Sequence, residues 1–195
     1  MIDGEEKKEE ENIEIFSIIT LGESGVGKTS ILKRFIYSVY EEDNASTIGL
    51  NFAFKIITLK NNKKVKIKVI DTAGQEKYRS LAKSYIKNAQ AVLYVFSIDQ
   101  KDSLEKIKGW INMFRESKNN PNIPCYLIRN KSDLMGQFDE ESINDLMNDN
   151  HISGFISVSA KENVNIDKIF EDISELWYKK YRKLQKLRKN ITVLN

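Results

Sequence analysis

The 195-residue sequence predicts an α/β fold: a doubly wound, mainly parallel six-stranded sheet with one antiparallel edge strand and helices on both faces. Three observations predict it. Apolar stretches of strand length alternate with segments of helical periodicity along nearly the whole chain. Two of the strand candidates are joined only by "KNNKK", a hairpin connection, whereas the others are separated by helices, which parallel pairing requires. A glycine-rich turn, "GESGVGKTS" at 22–30, stands between the first strand and the first helix.

Each element has its own signal. Residues 1–11 hold acids and almost no apolar side chains, the composition of a disordered tail. The first strand covers 13–21, and "KTSILKRFIYSVY" opens a helix with Ile31, Leu32, Phe35 and Ile36 at helical spacing. Strands at 51–59 and 65–70 ("VKIKVI", period two) form the hairpin, and another runs over 90–98. Over 103–117, Leu104, Ile107, Ile111 and Phe114 share one face, and Asp102 with Glu105 predicts a capping box. After a strand at 123–129, a helix at 140–149 carries Ile143, Leu146 and Met147. A strand at 155–158 precedes the last helix, which begins near Asn165 and turns Ile166, Ile169, Phe170, Ile173, Leu176 and Trp177 inward. The domain is expected over 12–178, with a basic helical extension and tail at 179–195. In such sheets ligands sit outside the carboxyl ends of the strands, where the glycine-rich turn lies.

Composition excludes several classes. The longest apolar run, "AVLYVF", is too short to span a bilayer, and no signal segment opens the chain. "MIDG" does not signal N-myristoylation. The single cysteine, Cys125, cannot form an internal disulfide and reads as a buried small hydrophobe in a reducing, cytoplasmic setting; the single histidine, His151, reads as a loop residue. The net charge of +3 is uneven: Asp3–Glu11 carries −4 and Lys179–Lys189 carries +7, so the body is neutral. That distribution gives no basic folded face, and no nucleic-acid partner is expected.

The motifs carry the chemistry. Gly22-x4-Gly27-Lys28-Thr29 has P-loop spacing, in which the backbone N–H groups of Ser24, Gly25, Val26, Gly27, Lys28, Thr29 and Ser30 wrap a polyphosphate. Lys28 reaches the outer phosphates, and the Thr29 hydroxyl ligates Mg²⁺. In "DTAGQE" (71–76), Asp71 is placed to hold Mg²⁺ through a water, Gly74 to bring its N–H to a terminal phosphate, and Gln75 to orient an attacking water. In "NKSD" (130–133), Asp133 can accept two parallel hydrogen bonds from the Watson–Crick edge of guanine, which adenine cannot supply. Lys131 can lay its methylenes on the purine, and Asn130 can tie this loop to the phosphate loop. A backbone N–H of "SAK" (Ser159, Ala160, Lys161) can meet the guanine carbonyl oxygen.

"GESGVGKTS", "TIGLNF" (47–52), "DTAGQEKYRSLA" (71–82), "NKSD" and "SAK", in this order over about 13–178, resemble the Ras superfamily of small GTPases, most closely its Rab branch. The resemblance implies a P-loop NTPase G domain that binds GTP and GDP with Mg²⁺, hydrolyses GTP slowly and reorganises two switch loops when the γ-phosphate is lost. It implies that Thr47 ligates Mg²⁺ in the GTP state and that Tyr40 packs against the guanine. Its expected partners are an exchange factor, a GTPase-activating protein and effectors that read the switch surface, with the protein a monomer engaged in vesicle traffic on the cytosolic face of an organelle membrane. The aromatic triad common in that branch is matched only at Phe52, with Ile70 and Ile86 at the other two positions. "NITVLN" also lacks the prenylated cysteines of the family, so membrane association is expected to be weak. Two other readings compete: a nucleotide-locked module with negligible turnover, against which Gln75 argues, and a P-loop kinase or ATPase, against which "NKSD" argues.

Overall fold

The structure is a computed structural model, and it describes residues 13–42, 50–72, 79–117, 122–136 and 139–193. The expected acidic tail at 1–11 lies outside them. In chain order the elements are β1 (Glu14–Leu21), α1 (Lys28–Tyr37), β2 (Leu50–Thr58), β3 (Lys64–Thr72), α2 (Arg79–Ile86), β4 (Ala91–Ser97), α3 (Ser103–Ser117), β5 (Cys125–Asn130), α4 (Glu140–Asp149), β6 (Gly154–Ser157) and α5 (Ile166–Val193). The six strands form one sheet in the order β2-β3-β1-β4-β5-β6. Only the β2–β3 pair is antiparallel. The order places β1 beside both β3 and β4, so the loops after these three strands open at one end of the sheet.

Two apolar clusters sandwich the sheet. On one face Phe16, Ile18, Val65, Ile67, Leu93 and Val95 meet Ile31 and Phe35 of α1 and Ile169, Phe170, Ile173 and Trp177 of α5. On the other, Ile19, Leu21, Ile70, Val92, Tyr94 and Phe96 meet Ile86 of α2, residues Ile107 to Phe114 of α3, and Ile143 and Leu146 of α4. Every residue of β4 is buried, as a central parallel strand with both faces covered must be. β3 instead alternates exposed or half-buried Lys64, Lys66 and Lys68 with buried Val65, Ile67 and Val69, because the second helical layer reaches it only at Ile70.

The expected helices at 103–117 and 140–149 have the bounds found for α3 and α4. Two expectations are corrected. β3 runs on to Thr72, so Asp71 lies inside the strand, opposite Asn51, instead of after it. α2 supplies the helix that the alternation expects between the hairpin and β4, although its eight residues give barely two turns in which a 3.6-residue period can mark its bounds. The capping box at α3 does not form: the Asp102 carboxylate pairs with Lys106 at 2.7 Å, four residues on, and the buried Ser103 hydroxyl instead accepts the Ser97 N–H at 3.1 Å. α4 is capped by Asp139, which accepts the N–H groups of Glu141 and Ser142. Cys125 is buried, and burial pushes its thiol up to about 12. α5 runs without a break across residues 178 and 179.

Phe170 is fully buried and stacks on Phe35, joining α5 to α1 beneath the glycine-rich loop. Phe170→Ala removes the ring and leaves a cavity between two helices, so a loss of about 3 to 5 kcal/mol is expected in urea unfolding at fixed GDP concentration. A loss below 1 kcal/mol would show that the α1–α5 contact is not part of the core.

Candidate functional site

The chain leaves β1 at Leu21 and turns through Gly22–Gly27 into α1. A Cβ at Gly22 would collide with the backbone carbonyl of Val95 on β4, so the loop's first position admits only glycine. Gly27 is left-handed (φ 91°), and a Cβ there would strike the Asn130 amide. α1 therefore starts with no side-chain cap and no acid in its first turn. Its leading N–H groups and the positive end of its dipole remain available to an anion. Ser24 and Gly25 are exposed at the loop tip, Val26 is buried beneath it, and Ser30 is half-buried at the first turn.

Lys28 folds back over the loop and is itself buried. Its Nζ donates to the carbonyl oxygens of Gly22 at 2.9 Å and Glu23 at 2.7 Å, so one of its three N–H bonds is left to point into the cradle. Burial lowers its pKa to about 8, opposed by the charges of Asp71 and Glu23.

Beside Lys28, the Thr29 hydroxyl donates to Asp71 Oδ2 at 2.6 Å. The carboxyl end of β3 is locked to β1 by two threonines: Thr20 Oγ1 donates to the Ile70 carbonyl at 3.3 Å, and Thr72 Oγ1 to the Thr20 carbonyl. Asp71 is thus fixed in place and buried, and its Oδ1 has no hydrogen-bond partner among the described residues. Burial raises its pKa, with the Thr29 hydroxyl and the Lys28 charge pulling the other way. A buried carboxylate oxygen without a partner, next to a hydroxyl, fits a hard divalent cation such as Mg²⁺.

Three loops converge on the far side of the phosphate loop. The buried Asn130 side chain donates from Nδ2 to the Val26 carbonyl at 2.9 Å and accepts the Ala160 N–H at 3.3 Å. Ser159 is buried, and its hydroxyl donates to Asp133 Oδ1 while accepting the Glu162 N–H at 2.9 Å. The Ser159 N–H pairs with the Val164 carbonyl at 3.2 Å. Of the "SAK" turn, this leaves the Lys161 N–H as the donor without an acceptor among the described residues. Asp133 itself is exposed, and its burial would have to come from a base laid over it. Lys131 takes a left-handed backbone (φ 61°), and its Nζ is held by Asp99 at 2.6 Å. Burial pushes Asp99 up, but the Lys131 and Ser97 hydrogen bonds outweigh it and hold the carboxyl below its usual range.

Tyr40 is half-buried against the first core cluster, under the Arg34 guanidinium, whose carbon lies 5.8 Å from the ring centroid. Arg34 also donates to the carbonyls of Ala160 and Lys161, each at 2.9 Å. Among the described residues, the other predicted binding side chains lie on the glycine-rich loop and the start of α1, on Asp71 beside it, or on the loops after β5 and β6, and Tyr40 stands apart from them past the end of α1. Thr47, Gly74 and Gln75 lie outside the described residues. Sequence reasoning missed Glu23, Arg34 and Asp99. Asp99 stands just past the carboxyl end of β4, the same placement that singles out Asp71, so it was open to detection. Glu23 and Arg34 act through partners remote in sequence and carry no spacing signal.

At the opposite edge, the three positions of the expected aromatic patch divide. Phe52 on β2 is 60% exposed, whereas Ile70 and Ile86 are 2% and 0% exposed and belong to the second cluster. The exposed apolar surface instead continues down β2 through Phe54 and Ile56, with Lys68 over the Phe52 ring and Lys66 over the Phe54 ring, both at 4.8 Å.

Comparisons with known proteins agree with this geometry. The family model described as "Ras family" matches residues 17–179. The chain is 33% identical over 188 residues to "Ras-related protein Rab-18" of Lymnaea stagnalis, covering 96% of this chain and 93% of that protein. It is 34% identical over 191 residues to "GTP-binding protein YPT52" of Saccharomyces cerevisiae, covering 84% and 82%, and 31% identical over 158 residues to "Ras-related protein Rab-32" of Mus musculus, covering 78% and 71%. The glycine loop, the Thr29–Asp71 pair and the Asn130-centred base loops thus stand on a chain of known kinship: it belongs to the Ras family of small GTPases and is most like the Rab branch.

Proposed function

We propose that the chain is a Mg²⁺-dependent guanine-nucleotide switch of membrane traffic that hydrolyses GTP slowly. The observation that carries this reading is one connected cradle: the uncapped start of α1, the Thr29–Asp71 pair and the Asp133 carboxylate, joined through Asn130. The phosphates lie on the N–H groups of Ser24–Ser30, and Lys28 gives its remaining N–H to the outer phosphates. Thr29, Thr47 in the GTP state, and Asp71 through a water would hold Mg²⁺, which would neutralise phosphate charge. Ser159 orients Asp133 toward the N1–H and amine of guanine, Lys131 and Tyr40 flank the purine, and the Lys161 N–H meets its carbonyl oxygen. Gly74 contacts the terminal phosphate and Gln75 orients the attacking water. The printed name "GTP-binding protein" of one relative supports the nucleotide.

Exchange factors, activating proteins and effectors then read the nucleotide state. The effector surface proposed for this chain is the β2 strip of Phe52, Phe54 and Ile56 with its lysines, in place of an aromatic triad. Action is proposed at the cytosolic face of an organelle membrane, by a monomer. No helix among the described residues is long and apolar enough to cross a bilayer. The seven bases of Lys179–Lys189 lie on α5, where exposed Leu184 and Leu187 offer little apolar contact, so attraction to an anionic surface would be weak and salt-sensitive.

Asp133→Asn exchanges a double acceptor for an acceptor–donor pair, matching xanthine, which carries a carbonyl where guanine has its amine. Affinity for GTP is expected to fall and for XTP to rise, each by about tenfold or more, since one hydrogen bond to a charged group contributes about 1.5 to 3 kcal/mol. Affinities that move together would remove Asp133 from base recognition.

Gln75→Leu should leave GTP affinity nearly intact and slow single-turnover hydrolysis about tenfold or more, because positioning a water lowers the barrier by about 1 to 3 kcal/mol. Unchanged turnover would exclude that role, and no turnover in the unmodified protein would favour the nucleotide-locked reading.

A further inference from the structure

Glu23, the second residue of the phosphate loop, faces two ways. Its backbone carbonyl accepts Lys28 Nζ at 2.7 Å, so its main chain is part of the lysine's cradle. Its side chain leaves the loop in the direction of α3, where Oε1 accepts the indole N–H of Trp110 at 2.9 Å and Oε2 lies 3.9 Å from Lys106 Nζ. Trp110 is almost fully buried, packed in the second cluster with Ile107, Ile111 and Phe114. An indole N–H is a donor only, and one buried in an apolar layer needs an acceptor. Glu23 brings one.

We infer that Glu23 is a positioning residue: it clamps the phosphate loop to α3 through Trp110, and this clamp sets how long a bound nucleoside diphosphate stays. A carboxylate in a loop that receives phosphates would repel them if it turned inward. Here the indole and Lys106 draw it outward, and the same bonds stop the loop from moving away from the start of α1. Because Trp110 is fixed by core packing, the loop inherits the position of a helix that itself touches no phosphate. Displacing α3 would therefore loosen the diphosphate without any change to its direct contacts. The inference rests on the nucleotide-binding reading above.

The test is the release rate of a fluorescent GDP from the Mg²⁺-loaded full chain. Glu23→Ala and Trp110→Phe should each speed release by about tenfold or more, in proportion to a charge-assisted hydrogen bond, while the association rate stays within about threefold. Glu23→Gln keeps an acceptor oxygen for the indole and should release within about threefold of the unmodified rate. The double variant should be no faster than the faster single one, because both remove the same bond. Release at the unmodified rate in Glu23→Ala, additive effects in the double variant, or Glu23→Gln behaving like Glu23→Ala would each overturn the clamp. An unmodified chain that binds no GDP would overturn the nucleotide reading and the clamp with it, whereas normal binding with unaffected variants overturns the clamp alone.

Discussion

The site depends on the Asn130 carboxamide. It is buried at the carboxyl end of β5, and its two ends face two different loops: the amide nitrogen holds the Val26 carbonyl in the phosphate loop and the oxygen accepts the Ala160 N–H in the base loop. Only a group with both a donor and an acceptor can do this, so aspartate, leucine and lysine are all excluded. The packing enforces it as well, since Gly27 has no Cβ where that carboxamide passes. The loops proposed to take phosphate and base are thereby held in one frame at the mouth of the sheet. The frame exists because β1, β4 and β5 are adjacent and parallel, which brings their carboxyl ends to one edge.

Electrostatics makes the frame incomplete without a ligand. Lys28 and Asp71 are both buried, the lysine with its pKa lowered and the carboxyl with its pKa raised, each chiefly by desolvation. α1 carries neither a side-chain cap nor an acidic first turn. Each feature costs stability when considered alone, and each would be offset by the proposed anion with its divalent cation. A ligand that binds only the folded state adds to its stability by mass action, so folding and occupancy of this site are linked. The body's apolar clusters, on the other hand, are complete on both faces around the central strands and need no ligand.

The legible part of this protein was the part with local periodicity or fixed spacing. α3 and α4 follow from repeating apolar positions, and the phosphate loop from the spacing of Gly22, Gly27, Lys28 and Thr29. A helix between the hairpin and β4 follows from the alternation, but the bounds of α2 were not legible, because its eight residues scarcely exceed two turns. The α3 cap failed because Lys106 competes for the Asp102 carboxylate, a choice that spacing between acids cannot reveal. Glu23 and Arg34 gain their meaning from partners 87 and 126 residues away. The fate of Ile70 and Ile86 was likewise tertiary: Ile70 on β3 and Ile86 at the end of α2 both belong to the second cluster and are withdrawn from the surface.

The central claim is that one cradle selects a guanine nucleotide through Asp133 while α1 and the Thr29–Asp71 pair take its phosphates. Calorimetric competition of Mg²⁺·GDP against Mg²⁺·ADP on the full chain tests it most directly, because the two ligands share every phosphate contact and differ only at the base. A site built to hydrogen-bond one edge should favour GDP by at least about a thousandfold. Equal affinities would contradict the account, leaving a phosphate loop with no base selectivity behind it.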